Sequence, residues 1–185
     1  PSRKQTQPHS GQGLPSICPP PISCGVRHPS QIHLYNCRAR PHKSGFVATG
    51  QTTIMIGCDQ GAVIDAIPRD FMSGQTERMV LDVASMGKDI IFVEGQASLS
   101  HPAYGQESLA ILYGAWPDAV VLVHDPFRKK RDGFPQFDVP QPNEEIRMIE
   151  TVCPKTKVVG VAVNGDLKPD EEVMMAIRRI ERETG

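Results

Sequence analysis

The sequence predicts an α/β domain: three layers, a mostly parallel sheet with helices on both faces. Three observations predict it. Apolar runs without polar alternation recur at residues 90–93, 119–123 and 158–163. Stretches with helical spacing separate them, as a parallel sheet requires of its crossovers. Polar residues gather where each run stops, and the carboxyl ends of parallel strands are where such folds hold ligands.

Each element follows from local pattern. Residues 46–49 make a short strand that stops at Gly50. Residues 71–86 place Met72, Met79, Val80, Val83 and Met86 near helical spacing, and Gly87 stops the run. Residues 89–94 read as a buried strand, and 104–114 as a second helix closed by Gly114. Residues 119–124 are a further strand. Asn143 fits a helix cap, with acids close behind it at the positive end of the helix dipole. Residues 157–164 give the last strand, and 169–183 a helix with Pro169 at its first turn. Met72, Met79, Met86, Met148, Met174 and Met175 all read as core.

The chain has 185 residues, a net charge of −1 and 22% charged side chains. That is enough for one α/β domain and offers no global nucleic-acid or membrane footprint. No apolar run approaches the ~20 residues of a membrane helix and no secretory signal opens the chain. Five cysteines without paired C-x-x-C spacing point to reduced thiols and a cytoplasmic setting.

These averages hide a break near residue 44. Residues 1–44 contain no Asp or Glu, six Lys or Arg and eight of the 17 prolines. They are expected to be irregular, with the domain proper at 45–185. A disordered basic arm, a nucleic-acid tail and an out-of-frame translation all fit; codons for Gln31 to Arg38, read one base later, can spell K-Y-T-x-T-T-A.

Candidate site residues fall at the strand ends. Glu94 follows a buried strand and precedes Gly95, which lets backbone turn close to a ligand. A hard cation favours carboxylate oxygen, but a strand-end carboxylate can equally cap backbone N–H groups. Gln96, His101 and Tyr104 offer an amide, an imidazole and a phenol suited to orienting a small polar substrate; a loop histidine bonded to a carbonyl is the simpler alternative. Gly50, Gln51 and Thr52 form a strand-to-helix turn whose N–H groups could meet an anion, or a mere tight turn. His124 and Asp125 end a strand and either position a substrate or cap the loop. Asn164, before Gly165, fits a ligand contact or a turn. The basic run 128–131 reads as a solvated loop or a guide for a phosphate-bearing cofactor.

Four motifs resemble one family. They are G-F-V-A-T-G-Q-T, V-I-D-A-I-P-R-D-F-M-S-G, F-V-E-G-Q-A-S-L-S-H-P-A-Y-G and V-L-V-H-D-P-F-R, in unbroken order over residues 45–183. They resemble a former domain-of-unknown-function family, often labelled NAD-dependent epimerase/dehydratase, that includes D-glutamate N-acetyltransferase. The matching part there is the carboxyl-terminal, P-loop NTPase-like domain, similar to dethiobiotin synthetase. The resemblance implies acetyl transfer from acetyl-CoA to an acidic D-amino acid, with a homo-oligomer in the full-length parent. It makes His101 a candidate base, with Glu94 and Tyr104 beside it as catalytic residues. It implies Glu94 and Asp65 as carboxylates toward Mg²⁺, with a helix cap the other reading of Asp65 and Asp59 and Asp70 competing for its place, and Asn164 as a reader of adenine. Gly50, Gln51, Thr52, Gly95, Gln96 and His124 complete the cofactor side. An ATP- and Mg²⁺-dependent ligase or kinase, and a nucleotide-binding or inactive assembly module, are the alternatives. The family's phosphate loop would fall inside residues 1–44, and no G-x-x-x-x-G-K-[ST] occurs anywhere in the chain. This chain is therefore expected to be an impaired fragment that binds ATP negligibly.

Overall fold

The computed structural model describes residues 43–165 and 168–185, so the expectations for residues 1–42 lie outside the described residues. In order, the elements are β1 (Ser44–Ala48), α1 (Gln51–Ile56), β2 (Gln60–Gly61), a 3-10 turn (Ile64–Ala66), α2 (Arg69–Ala84) and β3 (Ile90–Val93). Then come α3 (Gly105–Ala115), β4 (Ala119–His124), β5 (Lys130–Arg131), β6 (Phe134–Asp138), α4 (Pro142–Val152), β7 (Lys157–Val163) and α5 (Asp170–Thr184).

The class is α/β as expected, and the long strands pair in parallel, the described ones in two groups. β1 lies between β2 and β3, with Phe46 beside Phe92 and Val47 beside Val93. β4 pairs with β7, and a bulge after Val120 leaves Val159 out of register and exposed. Only β1 is buried along its whole length. β4 alternates in exposure, with Val121 and Val123 at 41% and 49%. An apolar run says that a strand tolerates cover on both faces; it does not supply the cover.

The core forms where α2 lies across the first sheet. Val47, Ile64, Met72, Met79, Val83, Ala110 and Ile111 pack into one cluster, joined at its margin by Ile91 and Val93. Of the six methionines expected in the core, Met72 and Met79 are in it, while Met86, Met174 and Met175 are exposed. The spacing identified the helices but not which stripe faced inward.

Helix ends depart from expectation in instructive ways. Gly87, at φ 68°, does close α2. Gly114 does not close α3. It lies inside the helix, where a Cβ would come 2.3 Å from the Ser73 carbonyl oxygen of α2. The left-handed residue after α3 is Trp116, at φ 42°. Asn143 does not cap α4. Gln141 stands at that position, its N–H bonded to the Glu144 carboxylate at 3.0 Å, while Asn143 Nδ2 donates to the Glu183 carbonyl of α5.

The run 128–131 is not a simple solvated loop. Lys130 and Arg131 pair with β6 as an antiparallel ribbon, and the Arg131 side chain is buried. Among the described residues, no helix is long and apolar enough to cross a membrane.

Candidate active site

β1 and β3 end side by side, and Glu94 turns its side chain back across that junction. Its Oε2 accepts the backbone N–H groups of Thr49 at 2.8 Å and Gly50 at 3.1 Å, and its Oε1 accepts the Thr53 hydroxyl at 2.5 Å. Glu94 is buried. This is the capping arrangement rather than the open carboxylate expected of a metal ligand. Of the donors expected to meet an external anion at Gly50, Gln51 and Thr52, the Gly50 N–H is already bonded to Glu94.

Asp65 and Glu94 were expected to share a cation, but among the described residues no group of three or more His, Cys, Asp or Glu could hold one. Glu94 is engaged by three donors, and no G-x-x-x-x-G-K-[ST] occurs in the sequence to hold a nucleotide's phosphates. Gly95, expected where a ligand needs close backbone, has open space beside it where a side chain would go.

Gln96 is held by a relay. The Thr49 hydroxyl donates its one proton to Glu94, so it must accept the Gln96 Nε2–H at 2.7 Å. That fixes the amide and leaves Oε1 as its acceptor. Tyr104 is half-exposed and its ring lies tilted by 33° against that of His101, ring centres 4.9 Å apart. His101 Nδ1 accepts the N–H groups of Ala103 and Tyr104, both at 3.2 Å. The ring proton therefore sits on Nε2, so the outward nitrogen of His101 is a donor and not the base expected of it. Burial, then the Arg131 guanidinium, hold its pKa below the usual imidazole value, against a smaller opposing pull from Glu107.

Three expected residues converge. Asp65 from the 3-10 turn, Gln96 after β3 and Tyr104 before α3 line one cavity of about 190 Å³, with Glu107. Glu107 was not anticipated, since an acid in a helix's first turn usually complements the dipole. Its spacing to Ala110 and Ile111 put it on the buried face, and that signal could have found it. On the other side of the 101–104 turn lies a wider cleft of about 660 Å³, whose walls include His101, Leu109, Arg147, Met148 and Val152.

His124 and Asn164 stand elsewhere, at the ends of β4 and β7 in the second sheet. The Asn164 N–H donates to the His124 carbonyl at 2.8 Å. Burial lowers the His124 pKa, against the raising effect of Asp125.

A family described as a domain of unknown function, DUF1611_C, a P-loop domain, matches residues 23–185. The chain belongs to the DUF1611 family. Its DUF1611 match begins within the acid-free segment and runs to the last residue. A curated relative from Tritonibacter scottomollicae, named D-glutamate N-acetyltransferase, is 37% identical over 153 residues, 80% of this chain and 45% of the relative. Another of that name from a Pseudoalteromonas species is 38% identical over 123 residues, 64% of this chain and 36% of the relative. A crystal structure of a DUF1611 family protein from Anabaena variabilis superposes with a TM-score of 0.78 at 33% identity, covering 84% of this chain and 46% of that one. This DUF1611 chain thus spans less than half the length of the curated relatives it matches.

Proposed function

We propose that this chain forms the carboxyl-terminal part of a cytoplasmic enzyme that transfers an acetyl group from acetyl-CoA to the amine of D-glutamate or another acidic D-amino acid. The names of the two curated relatives support the reaction. The observation that carries it to particular residues is the pairing of a small cavity lined by Asp65, Gln96, Tyr104 and Glu107 with a wider cleft lined by His101, Leu109 and Arg147.

In this reading the acceptor's amine enters the cavity and the acyl donor lies in the cleft. Leu109, Met148 and Val152 offer the donor apolar contact, and Arg147 offers charge to its phosphates. The Nε2–H of His101 faces developing negative charge on the acyl oxygen as a hydrogen-bond donor. A carboxylate must accept the proton that the amine loses, because only the neutral amine is nucleophilic.

The test is a chimera in which residues 45–185 replace the matching region of the Tritonibacter scottomollicae relative. Free CoA thiol is measured with D-glutamate, L-glutamate and no amino acid. D-glutamate-dependent thiol release supports the proposal. A folded chimera that releases none overturns it.

A further inference from the structure

We propose that Asp65, Gln96 and Glu107 form a subsite for a primary ammonium group, which binds the acceptor through its amine. This rests on the acyl-transfer reading only for the identity of the acceptor; the subsite itself stands on the cavity.

Glu107 is 8% exposed, and its Oε2 has no hydrogen-bond partner among the described residues. A buried carboxylate oxygen without a donor is costly, so it marks a place where a donor belongs. The groups beside it do not supply one. Asp65 brings a second carboxylate, and Gln96 commits one of its two N–H donors to Thr49 and keeps Oε1 as an acceptor. Three acceptors and two negative charges around about 190 Å³ complement a group with three N–H donors and one positive charge. The exposed ring of Tyr104 forms one wall and adds its π face to a cation. A divalent metal is less well served, since no third His, Cys, Asp or Glu among the described residues completes a ligand set.

The same charges repel carboxylates. An acidic amino acid must therefore enter amine first, its carboxylates left outside the cavity. Once the ammonium is seated, Glu107 is the buried base for it. The N–H bond breaks, its proton passes to the Glu107 carboxylate and the nitrogen keeps the electron pair for attack.

Calorimetry on this chain tests the subsite with three ligands: D-glutamate, glutarate and D-2-hydroxyglutarate. The last two keep both carboxylates and lack the amine. D-glutamate is expected to bind at least tenfold more tightly than either, and Glu107→Gln to erase that margin. Asp65→Asn, on the exposed rim, is expected to reduce it several-fold with no effect on folding. Equal binding of all three ligands overturns the subsite, as does a margin that survives both substitutions. An amine-dependent margin in this chain together with an inactive chimera would overturn acetyl transfer while upholding the subsite. An active chimera whose KM for D-glutamate is untouched by Glu107→Gln would do the reverse.

Discussion

The Glu94 carboxylate accepts the backbone N–H of Thr49 at 2.8 Å, joining the ends of β3 and β1 through a side chain. The bond is buried, and the Gly50 N–H and Thr53 hydroxyl converge on the same group. Removing it leaves three donors without their acceptor. Glu94→Ala is therefore expected to lower stability by about 3 kcal/mol, read from denaturant midpoints. Added Mg²⁺ is expected to leave the wild-type midpoint where it is. A Mg²⁺-dependent rise that disappears in Glu94→Ala would restore the metal-ligand role.

Arg131 and Glu145 are the next pressure point. Arg131 Nη2 lies 3.4 Å from Glu145 Oε1, and both side chains are more than nine-tenths buried. Ser100 links them, accepting from Arg131 and donating to Glu145. Arg131→Met strands a buried carboxylate and is expected to cost about 3–5 kcal/mol. The double variant Arg131→Met/Glu145→Leu is expected to recover most of that. A double variant as unstable as the single one would mean that packing of the β5–β6 ribbon, not charge, sets the loss.

Acid is expected to weaken the fold through its histidines. Burial lowers the pKa of both His101 and His124. The folded state thus holds fewer imidazole protons than the unfolded chain, so stability is complete above about pH 6.5 and falls as pH drops below it. Protonating His101 would also replace an acceptor with a donor facing the Ala103 and Tyr104 N–H groups. His101→Asn keeps an acceptor there and loses the titration. Its melting temperature is expected to fall less steeply from about pH 7 to about pH 5; an unchanged slope would remove His101 from this account.

Two glycines should respond oppositely to substitution. Gly114 sits where α3 crosses α2, with the Ser73 carbonyl too close for any side chain. Gly114→Ala must push the helices apart, an overpacking expected to cost about 1–3 kcal/mol. Gly95 has open space beside it, so Gly95→Ala is expected to leave stability within about 0.5 kcal/mol. Paired thermal melts separate the two, and a Gly114→Ala variant as stable as wild type would contradict the close crossing.

The sequence by itself determined the elements and their class. Residues 119–124 and 157–163 are strands because β-branched runs bounded by turn residues leave little else to form, and α2 is a helix because its methionines and valines recur at helical spacing. The four motifs were enough for the family. They also drew attention to Asp65, Gln96 and Tyr104, which do meet at one cavity.

Only the tertiary structure decided what those groups face. A strand end says where a carboxylate starts, not whether neighbouring N–H groups claim it. Thr49 and Gly50 claimed Glu94, and two backbone donors fixed the tautomer of His101. Glu107 went unnoticed because an acid in a helix's first turn reads as a partner of the dipole, although its spacing to Ala110 and Ile111 marks the buried face. Local pattern sets the shape and covering of one segment, whereas pairing and hydrogen-bond ownership depend on groups that the chain brings together from dozens of residues away.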